Sequence, residues 1–397
     1  MLFSLALIFI CGFSLSGILQ KLKMPGLLGM LLVGIMLGPY ALNLIAPEIL
    51  NISADLRQIA LIVILLRAGL AIDIKDLKKV GRPAFLMCFV PATFELLTIT
   101  LLAPIFFHIS YLEAAIMGAV LAAVSPAVVL PRMLKLMENG YGKKNSIPQL
   151  IMAGASADGI YMIILFTSLL SMYQGAGFQM INLLKVPISI VSGLMVGIGT
   201  GIILVWFFKK VQIRDTVKML IIFSTAFLFI SLETLLKPYL PVSGLLAVMA
   251  LGGTILKSYD ILAKRLSGKF SKIWVGAEIL LFVLVGAAVN ISYLASSGLL
   301  AVGLIFSALL FRMLGVFTCL IKTKLNSKER LFCGIAYLPK ATVQAAIGAI
   351  PLALGVSAGR TILTVAVLAI IITAPIGALG VDLSYQKLLT SEKISKK

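Results

Sequence analysis

Of 397 residues, 60% are hydrophobic and only 12% are charged, a balance that excludes a soluble globular chain and points to a polytopic membrane protein. The net charge of +19, from 34 Lys and Arg against 15 Asp and Glu, falls in alternate loops. That pattern suits anionic lipid on one face of a bilayer and not nucleic acid. Four cysteines without CxxC spacing and one histidine, His108, support neither a disulfide framework nor a metal cluster, and no cofactor is expected.

Residues 2–20 are apolar, with no base before them and Lys21 and Lys23 after them. A signal peptide has the reverse polarity, so this is read as a first membrane helix that starts outside. Apolar spans recur at about 25–46, 57–72, 83–108, 112–137, 147–172, 186–208, 216–236, 239–257, 272–294, 298–321, 329–354 and 358–381, giving thirteen helices. Each is near or above the ~20 residues needed to cross. One set of loops holds Lys21 and Lys23, Lys75 to Arg82, Arg132 to Lys144, Lys209 to Arg214, Lys257 to Lys272, Lys322 to Arg330, and the tail from Lys387; the other set is nearly bare. The expectation is therefore an all-α chain of about thirteen transmembrane helices that starts outside and ends inside. An odd count with a spare central helix allows two inverted six-helix repeats.

Two spans carry breaks. In Ala122-Ala123-Val124-Ser125-Pro126, Pro126 removes a backbone donor and crowds the carbonyl four residues earlier, and Pro131 does so again. Ser125 followed by Pro126 also reads as an N-cap and a first helical residue, so a second half-helix restarts within the membrane. At the corresponding place in the second half stands Leu338-Pro339-Lys340-Ala341-Thr342-Val343-Gln344. Both breaks free carbonyls and expose helix ends, which the membrane tolerates only around a polar interior.

Between the breaks, the span 147–170 holds one carboxylate, Asp158, flanked by Ala153, Gly154, Ala155, Ser156, Ala157 and Gly159. Burying a charge there costs roughly 2.5–3.5 kcal/mol on insertion scales. The small neighbours leave room for another backbone or for an ion. Other charges inside spans need partners: Arg312 and Lys340 are cationic, and Glu95 and Glu278 are carboxylates. Arg312 is expected to neutralise half-helix C-termini or to pair with Glu95. No nucleotide fingerprint and no Ser–His pair is present, so enzymatic function is not expected.

Taken together, Pro25-Gly26 through Gly38-Pro39, the Ser125-Pro126 break, the Gly-Ala-Ser-x-Asp helix, Phe282 to Gly286 after Glu278, Arg312, and the run from Pro339 to Gln344 resemble the bacterial monovalent cation/proton antiporters over almost the whole chain. The resemblance implies two broken helices crossing beside an acidic residue. It also implies a core domain (83–172 and 298–382), a scaffold and dimerisation domain (1–82 and 216–297), a linking helix (183–215), a short cytoplasmic tail (383–397) and a homodimer. Asp158 would bind sodium or potassium or a proton, with Ser125, Ser156 and Thr342 adding oxygens. Arg312, Lys340, Glu95 and Glu278 would balance charge in an inner (plasma) membrane. Gly159 stands where the family's acidic pair would place a second Asp, and the first break lacks the Asp of the family's Thr-Asp-Pro. Two competing expectations are a sodium-coupled carrier of organic anions, with Arg312 and Lys340 on the anion, and a membrane sensor that transports nothing.

Overall fold

The computed structural model describes residues 1–22, 24–71, 81–175, 180–236 and 242–390. All the regular elements among them are helices, and each of the thirteen apolar stretches contains helix. Among the described residues, nine helices, two of them counted across a break, are long and apolar enough to cross a membrane by length and composition. Shorter apolar helices occupy Gly26–Leu37, Gly244–Ser258 and Thr342–Ala353. The second stretch is shorter than its sequence suggests because Gly38 is extended before Pro39, and a residue preceding proline is pushed out of the helical region.

The chain divides into two compact units, Met1–Ala54 with Ile74–Leu169 and Leu281–Lys397, and Asp55–Asp73 with Leu170–Leu280. In the larger unit, Gly34 and Gly286 interleave where helix Gly26–Leu37 meets the end of Asp260–Ala287: a Cβ on Gly34 would run into the Val283 carbonyl, and one on Gly286 into that of Leu31. Small residues thus set the approach of the two backbones, the usual device where no hydrophobic effect drives helices together in lipid. Helix Val90–Phe107 packs against Ile291–Cys319, with Gly315 facing Pro91 and Phe94.

Two helices of this unit are interrupted, and they are built alike. The first begins with Ser110 at the N-cap: Glu113 N–H donates to Ser110 Oγ at 3.3 Å and Ser110 N–H to Glu113 Oε2 at 3.0 Å. It runs Tyr111–Leu121, breaks over 122–125, and restarts as Pro126–Glu138. The second begins with Asn326, whose Oδ1 accepts from Glu329 N–H at 2.9 Å, while Asn326 N–H donates to Glu329 Oε2 at 3.0 Å. It runs Ser327–Ala336, breaks over 337–341, and restarts as Thr342–Ile347. Ser110 and Asn326 are as far apart in the chain as Glu113 and Glu329, so the same capping box opens both helices in one register. Each glutamate also reaches a distant part of the chain: Glu113 accepts from Ser357 Oγ and from Ala358 N–H, and Glu329 accepts from Asn145 Nδ2 at 3.0 Å. Helix Pro126–Glu138 continues through Pro131, so the interruption lies before Pro126 alone.

The smaller unit follows the same packing rule. Helix Met180–Lys210 lies along Gly244–Ser258, with Gly193 against Ser243, Gly197 against Ala247 and Gly201 against Thr254. Glu233 Oε2 accepts the N–H of Gly244 at 2.8 Å, which satisfies one donor at the start of that helix.

Candidate functional site

The two interruptions bond to each other. Ser125 N–H, which has no helical acceptor, donates to Pro339 O at 2.8 Å. Ser125 Oγ does not cap its own helix; it lies 3.5 Å from Thr342 Oγ1.

Asp158, on helix Ile147–Gln174, is fully buried beside this crossing. Its Oδ2 accepts the freed N–H of Val124 at 2.7 Å and Arg312 Nη2 at 2.8 Å. Arg312, on helix Ile291–Cys319, is 1% exposed. Its Nε donates to Tyr337 O at 2.7 Å, and its Nη1 donates to Glu95 Oε2 at 2.8 Å and also to Ala122 O. Ala122 and Tyr337 are the C-cap residues of the two half-helices, so the guanidinium joins two negative helix ends to two carboxylates. Lys340, within the second break, places Nζ 2.7 Å from Glu95 Oε1 and 2.8 Å from Oε2. Its N–H donates to Thr373 Oγ1 at 2.9 Å. Lys340 lies as far beyond Val124 as Glu329 lies beyond Glu113, and in both breaks a freed N–H is taken by an oxygen on the long helix that follows.

Gln344 satisfies two more of the freed carbonyls: its Nε2 donates to Leu121 O at 3.0 Å and Ala123 O at 2.8 Å. Two buried carboxylates thus face two buried bases in a network where nearly every polar atom has a partner, the condition for burying charge at all. Among the described residues two oxygens at the crossing lack one, Asp158 Oδ1 and Gln344 Oε1.

The structure therefore brings together Asp158, Arg312, Lys340, Glu95, Ser125 and Thr342, with Pro126 opening the second half-helix and Pro339 lending its carbonyl. Pro131 lies within the half-helix that follows. Glu278 is not in the cluster: it belongs to the smaller unit, where the Trp274 side chain donates to it and Arg67 is its charged neighbour. The Arg67 guanidinium carbon is 5.5 Å from the centre of the Trp274 ring. The Ser156 side chain lies outside the described residues. A Cβ at Gly159 would meet Val343 Cγ2 at 3.1 Å. Sequence reading did not select Tyr337, Thr373 or Gln344; the one available signal was that Gln344 is polar within an apolar span next to a break. An unpartnered carboxylate oxygen is a hard donor, which suits a hard cation or a proton. No group of three or more His, Cys, Asp or Glu side chains that could hold a resident metal occurs among the described residues.

A profile of the family "Sodium/hydrogen exchanger, transmembrane" matches residues 5–383. Sodium/hydrogen exchanger 9B2 of Homo sapiens is 34% identical over 409 residues, covering 98% of this chain and 75% of that protein. Sodium/hydrogen exchanger 9B1 of Homo sapiens is 32% identical over 409 residues, covering 98% and 78%. In structure, the chain is similar to the sodium proton antiporter MjNhaP1 from Methanocaldococcus jannaschii at pH 8, with TM-score 0.83, 22% identity and 97% of each chain covered.

Proposed function

The chain belongs to the sodium/hydrogen exchanger family and is a membrane antiporter of protons and monovalent cations, and we propose that Asp158 is the group at which the two compete. The observation that carries this is a fully buried carboxylate with one oxygen held by Val124 N–H and Arg312 and the other unpartnered. When Oδ1 carries a proton it offers no charge to a cation; when the proton leaves, sodium or potassium takes its place. If only the loaded forms reorient, a proton gradient in one direction drives the cation in the other. Ser125 and Thr342 supply hydroxyl oxygens at the crossing, and Arg312, Lys340 and Glu95 hold the charge balance that keeps Asp158 ionisable.

We further propose thirteen spans, starting outside and ending inside, a homodimer in a plasma membrane, and a core of 83–172 and 298–382 that moves against the scaffold of 1–82 and 216–297. The alternation of basic loops and the family's plan support these readings. An organic-anion carrier is disfavoured because Arg312 and Lys340 are already paired with carboxylates, which leaves neither for the anion.

The test is cation-driven proton movement in proteoliposomes, scanning lithium, sodium and potassium. Asp158→Asn is expected to abolish flux while the protein remains folded and monodisperse. Flux that persists in this variant would remove Asp158 from the exchange.

A further inference from the structure

Helix Arg82–Met87 stops before Val90–Phe107 begins, and Pro91 has no N–H to give the carbonyl four residues before it. Met87 O is that carbonyl. The phenol of Tyr337 takes the vacant place, its hydroxyl donating to Met87 O at 3.4 Å. At that length the bond is weak, and its consequence is where the ring must lie to make it. Tyr337 is fully buried, its own carbonyl accepts from Arg312 Nε at 2.7 Å, and the Arg312 guanidinium carbon lies over its ring, 5.5 Å from the centre. One residue therefore holds Arg312 both at an edge and across a face.

The far end of the same ring meets the helix of Asp158. Gly154 lies one turn before Asp158 on the same face of helix Ile147–Gln174. A Cβ there would run into the Tyr337 hydroxyl oxygen and come within 2.8 Å of Met87 Cβ, so only glycine lets this helix rest on the phenol. One turn further along, Asp158 Oδ2 and Arg312 Nη2 stand 2.8 Å apart. The charged and titratable groups about the Asp158 carboxyl are Arg312 and Lys340, Glu95 beyond both, the thiols of Cys88 and Cys319, and the Tyr337 phenol itself. Among the described residues only Arg312 of these bonds to it. The spacing of this one pair therefore weighs most on how readily the carboxyl gives up its proton.

We propose that Tyr337 is a positioning residue of the exchange: its ring is a strut that fixes the distance between Arg312 and the Asp158 helix, and through it the pH range over which proton and cation compete. This rests on the reading of Asp158 given above. A proton or a cation on Asp158 weakens the carboxyl's pull on Nη2, and without the strut the guanidinium would tilt toward its other partners at that moment. With the ring across its face it stays in place for the next ionisation. Widening the gap from either side, by removing the ring or by pushing the helix off it, should act in the same direction.

The experiment follows the apparent KM against pH in proteoliposomes, for whichever of lithium, sodium and potassium the wild type exchanges best. It compares wild type, Tyr337→Leu, Tyr337→Phe, Gly154→Ala and the double variant Gly154→Ala with Tyr337→Phe, with Asp158→Asn beside them. A slackened ion pair favours the protonated carboxyl, so the pH at which KM begins to rise should move up by about one unit in Tyr337→Leu and in Gly154→Ala. Tyr337→Phe keeps the ring over the guanidinium and should shift it far less. In the double variant the shorter tip gives the new methyl room, and the profile should return toward wild type, a rescue that two independent packing defects would not show. A profile unmoved, or moved down, in folded Tyr337→Leu and Gly154→Ala would show Tyr337 to be only structural and overturn the proposal, whatever their thermal stability. Should Tyr337→Leu not fold, Gly154→Ala and the double variant decide by the same readout. Flux lost in Asp158→Asn alongside unmoved profiles defeats the Tyr337 assignment alone, whereas flux surviving in Asp158→Asn defeats the reading beneath it.

Discussion

Without the Arg312 guanidinium, Tyr337 O, Ala122 O, Glu95 and Asp158 would all lose a donor at once. Arg312→Leu is therefore expected to destabilise the protein by about 3–5 kcal/mol, the range for breaking a buried ion pair from one side. Thermal unfolding in detergent measures it. Lys340→Met should cost less, because Glu95 keeps Arg312 as a partner. Arg312→Lys should resemble the leucine variant more than wild type, since an ammonium cannot span acceptors on four elements as the planar fork does. Competition at Asp158 has its own signature: as pH falls through the range where its carboxyl takes up a proton, the apparent KM for the cation should rise by up to about tenfold per pH unit while the maximal rate is held. A KM that ignores pH would contradict it. The charged members of this cluster were legible in the sequence because a charge inside an apolar span is costly enough to need a reason. Tyr337 bonds to Arg312 through a main-chain carbonyl, which has no sequence signature, and Thr373 and Gln344 are neutral side chains of a kind that membrane helices carry routinely.

For the helices, the sequence marked where the interruptions fall but not what they face. Pro126 and Pro339 point to 122–125 and 337–341 through the missing donor and the crowding of the ring. Which freed group meets which partner depends on how two elements more than 200 residues apart cross, as in the 217-residue separation of Ser125 and Thr342, and local pattern does not contain that. The paired capping boxes have a sequence signature, since Ser110 with Glu113 and Asn326 with Glu329 both have the required spacing, which the apolar pattern alone does not pick out. Glu329→Ala removes the acceptor for Asn326 N–H and for Asn145 Nδ2, and should lower stability by about 1–2 kcal/mol, the scale of a lost cap. Glu113→Ala should cost at least as much, because Ser110, Ser357 and Ala358 all donate to it. Gly34→Val tests the close approach in the same assay: a branched side chain there meets the Val283 carbonyl and forces the two helices apart.

At the scale of the whole molecule, charge decides how exchange responds to voltage. Asp158 and Glu95 balance Arg312 and Lys340, and adding one proton or one monovalent cation changes the sum equally. One-for-one exchange should then neither create nor follow a membrane potential, so clamping the voltage with potassium and valinomycin should leave sodium-driven proton flux unchanged. A flux that scales with the clamp would require a second titrating group, for which Lys340 is placed. The same pairing bears on how the protein is made. Asp158 precedes Arg312 by 154 residues, and Glu95 precedes it by 217. At synthesis rates of ~5–20 residues per second, Asp158 waits roughly 8–30 s for its counter-ion. Ribosome and translocon thus deliver unneutralised carboxylates, which must stay protonated, stay at the headgroups or be sheltered by insertion machinery until Arg312 arrives. Slowing translation between Asp158 and Arg312 should therefore harm assembly more than slowing it after Lys340.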